Sequence, residues 1–250
     1  MTTTPPGKIV AIVEARMTSS RLPGKVLLPA AGRPLLGHLV ERLRQVPAVD
    51  EIVVATTDNA VDEPLVEFAR QYGVTCFRGS EPDVMVRVLG AGEAAAADIV
   101  VSITGDCPLI DPLLTEQTIR VFLNNRCDYA TNGHVHTFPG GYAVQVYRLA
   151  SLRKSAAMTD DRLEHEHVTL HMRRHPEMFA PVYLVAPPDQ HWPEIDLSLD
   201  EEADYLLLKR IFEHFGDANP YFGCRETVAL LKANPEWLTI NRHVKRKGDT

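Results

Sequence analysis

Four short apolar runs, each followed by a helical pattern, constrain this chain more than any other feature. Ile9–Val13, Ile52–Ala55, Val74–Phe77 and Ile99–Ile103 are rich in aliphatic residues, many of them β-branched. Runs that are apolar on both faces read as strands buried in a parallel sheet. Between and after them, Leu35, Leu36, Leu39, Val40, Leu43 and Val46 share one helix face, and Leu65–Tyr72, Asp83–Ala97 and Leu113–Leu123 also read as helices. Strand and helix in alternation give an α/β fold: a mostly parallel sheet with helices on both faces. Such sheets bind ligands at the C-terminal ends of their strands. The loops Arg16–Lys25, Thr56–Asn59, Arg78–Asp83 and Thr104–Pro108 each follow a strand, so they are expected along one rim.

The second half is less regular. Phe138-Pro139-Gly140-Gly141 is a turn signal, and Tyr142–Tyr147 alternates like the strand that follows a hairpin turn. Helices are expected over Leu149–Met158, Leu163–Arg174, Glu201–Phe215 and Arg225–Ala233, and strands over Val182–Val185 and Ile195–Leu199. Lys245-Arg246-Lys247 reads as a solvated terminus.

Composition narrows the class. At 250 residues, 45% hydrophobic and 24% charged, the chain can bury a core without staples. Its net charge of -7 argues against a nucleic-acid binder. The N-terminus shows no signal-peptide pattern, and no apolar run approaches the ~20 residues a membrane span needs. Cys76, Cys107, Cys127 and Cys224 are scattered and form no C-x-x-C pair, which points to free thiols and a cytoplasmic setting.

The first loop carries the clearest chemistry. Arg16, Arg21 and Lys25 lie within ten residues, interleaved with Thr18, Ser19, Ser20 and Gly24. Forked guanidinium donors, a point charge, hydroxyls and backbone N–H groups together suit a di- or triphosphate, or form a solvated basic loop. It is not a P-loop, since no G-x-x-x-x-G-K-[ST] is present. Asp106 closes the fourth strand, where a carboxylate faces a ligand or caps a turn. Asp200 opens a helix and is open to the same two readings. His167, His171 and His175 are spaced i, i+4, i+8 and would share one helix face, which leaves open zinc, polar helix positions or ligand hydrogen bonding.

The stretch Glu14-Ala15-Arg16-Met17-Thr18-Ser19-Ser20-Arg21-Leu22-Pro23-Gly24-Lys25-Val26-Leu27 resembles the signature of the sugar-acid cytidylyltransferases. The likeness is closest to the spore coat polysaccharide branch, related to the CMP-Kdo and CMP-sialic acid synthetases. R-x-x-S-x-R-x-P-x-K is matched by Arg16, Ser19, Arg21, Pro23 and Lys25. It continues through Asp50–Asp58, through Phe77–Val84 with Arg87, and at Leu230–Glu236.

The resemblance implies a Rossmann-like, glycosyltransferase-A-like nucleotidyltransferase domain over residues 8–215 and a helical tail over 216–250. It implies that Ala15, Arg16, Ser19, Arg21, Lys25, Thr104 and Asp106 bind the nucleotide, with Arg78 and Ser80 as weaker candidates on the same rim. Arg16, Lys25 and Asp106 would be catalytic, and Asp106 with Asp200 would hold Mg²⁺. Asn132, Gln145, Glu166 and His167 are the candidates for the acceptor pocket. The Gly140–Tyr147 hairpin is expected as an exposed arm that makes a homodimer.

The sequence departs from the related pattern mainly in the acceptor half. Ala143 and Gln145 stand where acids are usual, and His165 and Asp196 where arginines are usual. Glu14 stands where Gln is common and Thr18 where Gly is common. The expected activity is Mg²⁺-dependent transfer from CTP to an acidic or modified sugar, giving a CMP-sugar and pyrophosphate for cell-surface or spore-coat polysaccharide. Two other readings stay open: a nucleotide-sugar glycosyltransferase, and a nucleotide-binding pseudoenzyme with a remodelled acceptor site.

Overall fold

A computed structural model describes residues 7–246. Its elements in chain order are β1 (Ile9–Glu14), β2 (Pro29–Ala30), β3 (Arg33–Pro34), α1 (Leu35–Leu43), β4 (Glu51–Thr57), α2 (Glu63–Tyr72), β5 (Thr75–Gly79), α3 (Val84–Ala94), β6 (Ile99–Thr104) and α4 (Pro112–Leu123). They continue with β7 (Tyr129–Thr131), β8 (Gln145–Arg148), α5 (Leu149–Ala156), α6 (Arg162–Glu166), α7 (Leu170–Arg174), β9 (Pro181–Tyr183), α8 (Glu202–Phe215) and α9 (Cys224–Ala233).

The main sheet has seven strands in the order β5-β4-β1-β6-β8-β7-β9. β1 pairs in parallel with β4 on one side and β6 on the other, and β4 pairs in parallel with β5. β8 runs antiparallel to both β6 and β7, and β9 is parallel to β7. The chain moves outward from β1 to β4 and β5, then returns to β6 on β1's other flank. That reversal places the topological switch point between the ends of β1 and β6.

Alternate residues of β1 explain the two layers. Ile9, Ala11 and Val13 pack against α1, α2 and α4 through Leu36, Leu39, Phe68, Ile119 and Phe122. Val10 and Ile12 pack against α3, α5 and α7 through Met85, Val88, Leu152 and Met172. A further core joins α8 and α9 to Leu114, Tyr142, Leu197 and Leu199. Residues after 215 share it through Phe222, Cys224, Val228, Leu231 and Trp237. Asp111 caps α4 by accepting from the N–H groups of Leu113 (2.8 Å) and Leu114 (3.2 Å), with Pro112 in the first turn. All four cysteines are free thiols. No helix among the described residues is long and apolar enough to cross a membrane.

The second half brings corrections. Gly140–Tyr147 is not an exposed arm: Tyr142, Val144, Val146 and Tyr147 are fully buried, and β8 lies between β6 and β7 of this same chain. The alternation marked a strand inside the sheet, so it provides no free edge for a partner. Ile195–Leu199 is not a strand; it contributes one isolated bridge, between Asp196 and Gly140. Gly141, at φ +90°, lets that bridge form, because a Cβ there would stand 2.8 Å from the carbonyl of Leu197. The long helix over Leu163–Arg174 is broken into α6 and α7 at His167. Just after the break, Thr169 turns its hydroxyl to Gln145 at 2.6 Å and Val168 enters the core. Arg246 is not a solvated end: its guanidinium is partly buried against Asp204 at 2.7 Å. Lys247 lies outside the described residues.

Candidate active site

The site forms where β1 and β6 end side by side. The N–H of Gly105 donates to the carbonyl of Glu14 at 2.8 Å, closing the two strand ends together. A Cβ at position 105 would also stand 2.8 Å from that carbonyl, so only glycine permits this approach. The loop after β1 then folds back over the strand ends. The N–H of Met17 donates to Asp62 at 2.7 Å, and that of Gly24 to the Met17 carbonyl at 2.9 Å, with Gly24 left-handed at φ 70°.

A cavity of about 320 Å³ lies under this loop. Ala15, Arg16, Ser19, Arg21, Lys25, Thr104, Asp106 and Asp200 all line it. Lys25 is the centre of the charge network. Its ammonium stands 3.2 Å from Asp200 and 3.7 Å from Asp106, and donates to the carbonyl of Leu199. Arg21 reaches Asp200 at 2.6 Å and Glu201 at 3.7 Å. Arg16 is more exposed and rests 3.4 Å from Glu81, which also accepts from Thr18 at 2.7 Å. Asp200 arrives from the far end of the chain because the Leu199 N–H donates to the Asp106 carbonyl at 2.8 Å. Burial pushes the Asp200 carboxyl up, yet Lys25, Arg21 and Arg246 together hold it below the usual carboxylate range. The Thr104 hydroxyl donates to Asp106.

A second cavity of about 220 Å³ adjoins the first, and Glu14, Thr104, Glu166 and His167 line both. Gln145 and Ala143 line the second cavity, together with Tyr129 and His134. Gln145 is held there by the Thr169 hydroxyl at 2.6 Å.

Three expected residues are not brought to this cleft. Arg78 donates to the carbonyls of Thr57 (3.1 Å) and Asn59 (2.9 Å) and pairs with Glu63 at 2.8 Å. Ser80 accepts from the N–H of Asp83 at 3.2 Å, at the start of α3. Asn132 is buried, donating to the Tyr142 carbonyl (2.8 Å) and accepting from the Val144 N–H (2.7 Å). Both halves of its amide stitch the chain together before β8.

The histidines do not gather at the cleft either: the rings of His171 and His175 lie 4.6 Å apart, away from it, and only His167 and His134 line these two cavities. His171 is buried against Ser155 at 3.0 Å, His175 faces Glu177 at 3.0 Å, and His165 bridges Asp83 (2.8 Å) and the Thr159 carbonyl (2.9 Å). The Thr159 carbonyl and the Asp83 carboxylate raise the His165 pKa above the usual histidine value. Among the described residues, no group of three or more His, Cys, Asp or Glu is arranged to hold a metal ion.

Several residues that line the cleft were given no role by sequence reasoning, among them Tyr129, His134 and Arg173, and Glu14 and Arg87 stand out. Glu14 ends β1 in both cavities, and burial raises its carboxyl to about 7 against the opposing pull of Arg87 and a 3.1 Å hydrogen bond from Ser102. Arg87 is buried in α3, lines the nucleotide-side cavity, and donates to the carbonyls of Ser80 and Glu81. Burial lowers its pKa. Glu14 stood in the sequence only as a departure from a common Gln, and a charged residue closing an otherwise apolar strand was the signal available.

Comparison with known proteins agrees with this geometry. The cytidylyltransferase family profile matches residues 10–213. An uncharacterised protein of Methanocaldococcus jannaschii is 33% identical over 96% of this chain and 97% of its own. The spore coat polysaccharide biosynthesis protein SpsF of Bacillus subtilis is 33% identical over 92% of this chain and 97% of its own. A cytidylyltransferase structure from Leptospira borgpetersenii superposes with a TM-score of 0.88 at 30% identity, covering 97% of this chain and all of that one. The chain belongs to the cytidylyltransferase family and is a nucleotidyltransferase.

Proposed function

We propose that this enzyme transfers CMP from CTP to a hydroxyl of an acidic or modified sugar, with Mg²⁺, and releases pyrophosphate. One observation carries the reading. Three cations from the first loop and two carboxylates from distant segments line one cavity, which adjoins a second cavity with a different wall of hydroxyl, amide and aromatic groups, with Glu14, Glu166 and Arg173 as its charged members. The first suits a triphosphate and the second a polyol.

The carboxylates fit a hard divalent cation. Asp106 and Asp200 converge on one positive point, now the Lys25 ammonium at 3.7 and 3.2 Å. Two protein oxygens are too few for a closed cage, and that suits Mg²⁺, which keeps water and phosphate ligands. Mg²⁺ held by Asp106 and Asp200 would offset charge on the α-phosphate and on the departing pyrophosphate.

The chain's own residues supply positioning and electrostatics. Arg16, Arg21 and Lys25 hold the triphosphate from the loop side, and Ala15 and Ser19 approach it with small groups. Gln145, Glu166 and His167 orient the acceptor from the second cavity. The acceptor oxygen bonds to the α-phosphorus as the bridge to the β-phosphate breaks. Glu14, which lines both cavities, receives the hydroxyl proton. The test is a Mg²⁺-dependent titration against CTP, UTP, ATP and GTP, with Asp106→Ala as control, followed by pyrophosphate release across an acceptor panel. Selective CTP binding that Asp106→Ala weakens supports the reading. Preference for UTP transfers it to another nucleotide sugar, and no nucleotide binding overturns it. A homodimer remains part of the proposal only through sedimentation, since β8 offers no free edge.

A further inference from the structure

The segment that delivers Asp200 has little structure of its own. Before α8 begins, residues 195–201 are tied to the rest of the chain by two backbone–backbone bonds with Gly140, one with Asp106 and one with Trp192. Acids crowd here and into α8: Asp196, Asp200, Glu201, Glu202 and Asp204 lie within nine residues. Asp204 accepts from the N–H groups of Asp200 (3.0 Å) and Glu201 (2.9 Å), so the α8 cap and the Asp200 backbone depend on one carboxylate. That carboxylate is fully buried.

Its charge is met from the C-terminus. The Arg246 guanidinium forks onto Asp204 at 2.7 and 3.0 Å. It also stands 3.5 Å from Asp200 and 3.6 Å from Asp196, and donates to the carbonyls of Asp196 (3.1 Å) and Ser198 (3.4 Å). Asn241 adds its amide to Asp204 at 2.9 Å and to the Asp196 carbonyl at 3.1 Å. A planar fork can meet several acceptors in fixed directions, which a point charge cannot. Asp200 is thereby held from two sides. Arg21 and Lys25 take Oδ1 on the cleft side, while Arg246 faces Oδ2 from behind. Arg21 also donates to the Lys245 carbonyl at 3.3 Å, so the tail and the first loop are joined.

We propose that Arg246 is a positioning residue of the nucleotide site, acting through Asp204 to fix how Asp200 is presented to the cleft. The proposal rests on the reading of Asp200 as a ligand for metal-bound CTP. The C-terminal residues are on this account part of the nucleotide site.

Two measurements on the full chain test it. Hydrogen–deuterium exchange without nucleotide or metal reads the clasp itself. Arg246→Gln is expected to speed exchange at the amides of Asp200 and Glu201 while β1 and β6 stay protected; unchanged uptake there overturns the proposal. Calorimetric titration with MnCl₂ and CTP then reads the coupling. Groups that orient metal ligands are worth about 10–100-fold in affinity, so Arg246→Gln is expected to weaken Mn·CTP binding by about that much, with Arg246→Lys recovering part. In an Asp200→Asn background the same change is expected to add nothing, and an equal loss in both backgrounds overturns the proposal. Should Arg246→Gln not fold, Arg246→Lys carries both comparisons. Wild-type protein that binds no Mn·CTP refutes the functional reading instead, and the exchange data still decide whether Arg246 holds residues 196–204.

Discussion

Glu14 makes stability depend on pH with a sign opposite to that of most native carboxylates. Burial raises its pKa from 4.5 to about 7, so the folded chain binds this proton more tightly than the unfolded chain does. Between those values the native state carries the extra proton, and stability falls as pH rises. The contribution is complete below 4.5 and lost above about 7. At about 1.4 kcal/mol per pKa unit, the displacement caps the effect at roughly 3 kcal/mol. Glu14 lines two cavities that admit water, which trims the effect to roughly 1–3 kcal/mol. Arg87 and Asp106 act on it with opposite signs, Tyr147 lies beside it, and Glu166 and His167 face it across the cleft.

Glu14→Gln removes the titration and keeps the shape. Melting temperatures of both proteins are measured from pH 5 to 8 in metal-free, nucleotide-free buffer, and only their difference is read, so titrating groups that do not interact with Glu14 cancel. The variant is expected to gain on the wild type across this range. At roughly 2–4 °C per kcal/mol for a chain of this size, the gain is roughly 2–12 °C. A difference that stays constant from pH 5 to 8 refutes the assignment of Glu14 as a buried, late-titrating acid.

Three other outcomes follow from where side chains sit. Asn132→Ala strips two buried hydrogen bonds before β8 and is expected to cost roughly 2–4 kcal/mol in urea unfolding while nucleotide affinity is unchanged. Arg78→Ala is expected to leave CTP affinity unaltered in calorimetry, because its donors are spent on Thr57, Asn59 and Glu63. Asp111→Ala uncaps α4 and orphans the buried N–H of Cys224, which Asp111 accepts at 2.8 Å, so a chemical-denaturation loss of roughly 2–3 kcal/mol is expected.

The nucleotide half was legible because its signals are local. β1, β4 and β6 are buried on both faces, and the loops after β1 and β6 leave the sheet side by side, which brings Arg16, Lys25 and Asp106 to one cavity; β5 is the half-exposed edge strand, and Arg78 at its end and Ser80 after it stay outside. The second half hides its order in pairings between distant segments. Tyr129–Thr131 is too short to show a period, yet it forms a strand because β8 and β9 flank it. Tyr142–Tyr147 carried the correct alternation and the wrong location: alternation tells which residues face together, not whether the strand lies at an edge or inside. His167 looked like one of three on a helix face, whereas α6 ends at Glu166 and His167, in a non-helical conformation, lines the cleft.

Polar residues mislead for a related reason. Arg78 and Asn132 have the functional groups a nucleotide or sugar would need, but their donors are consumed by backbone carbonyls, and only the three-dimensional arrangement decides which use wins. Arg246 errs in the other direction. A basic residue near a chain end reads as solvated, since its partners at Asp196 and Asp204 lie more than forty residues away. That reading is sound for a group alone in water. Brought together, the acids of residues 196–204 repel one another, and the Arg246 guanidinium supplies the counter-charge between them. The charges at these two places in the sequence therefore offset each other, and the loop that carries Asp200 to Asp106 stands between them.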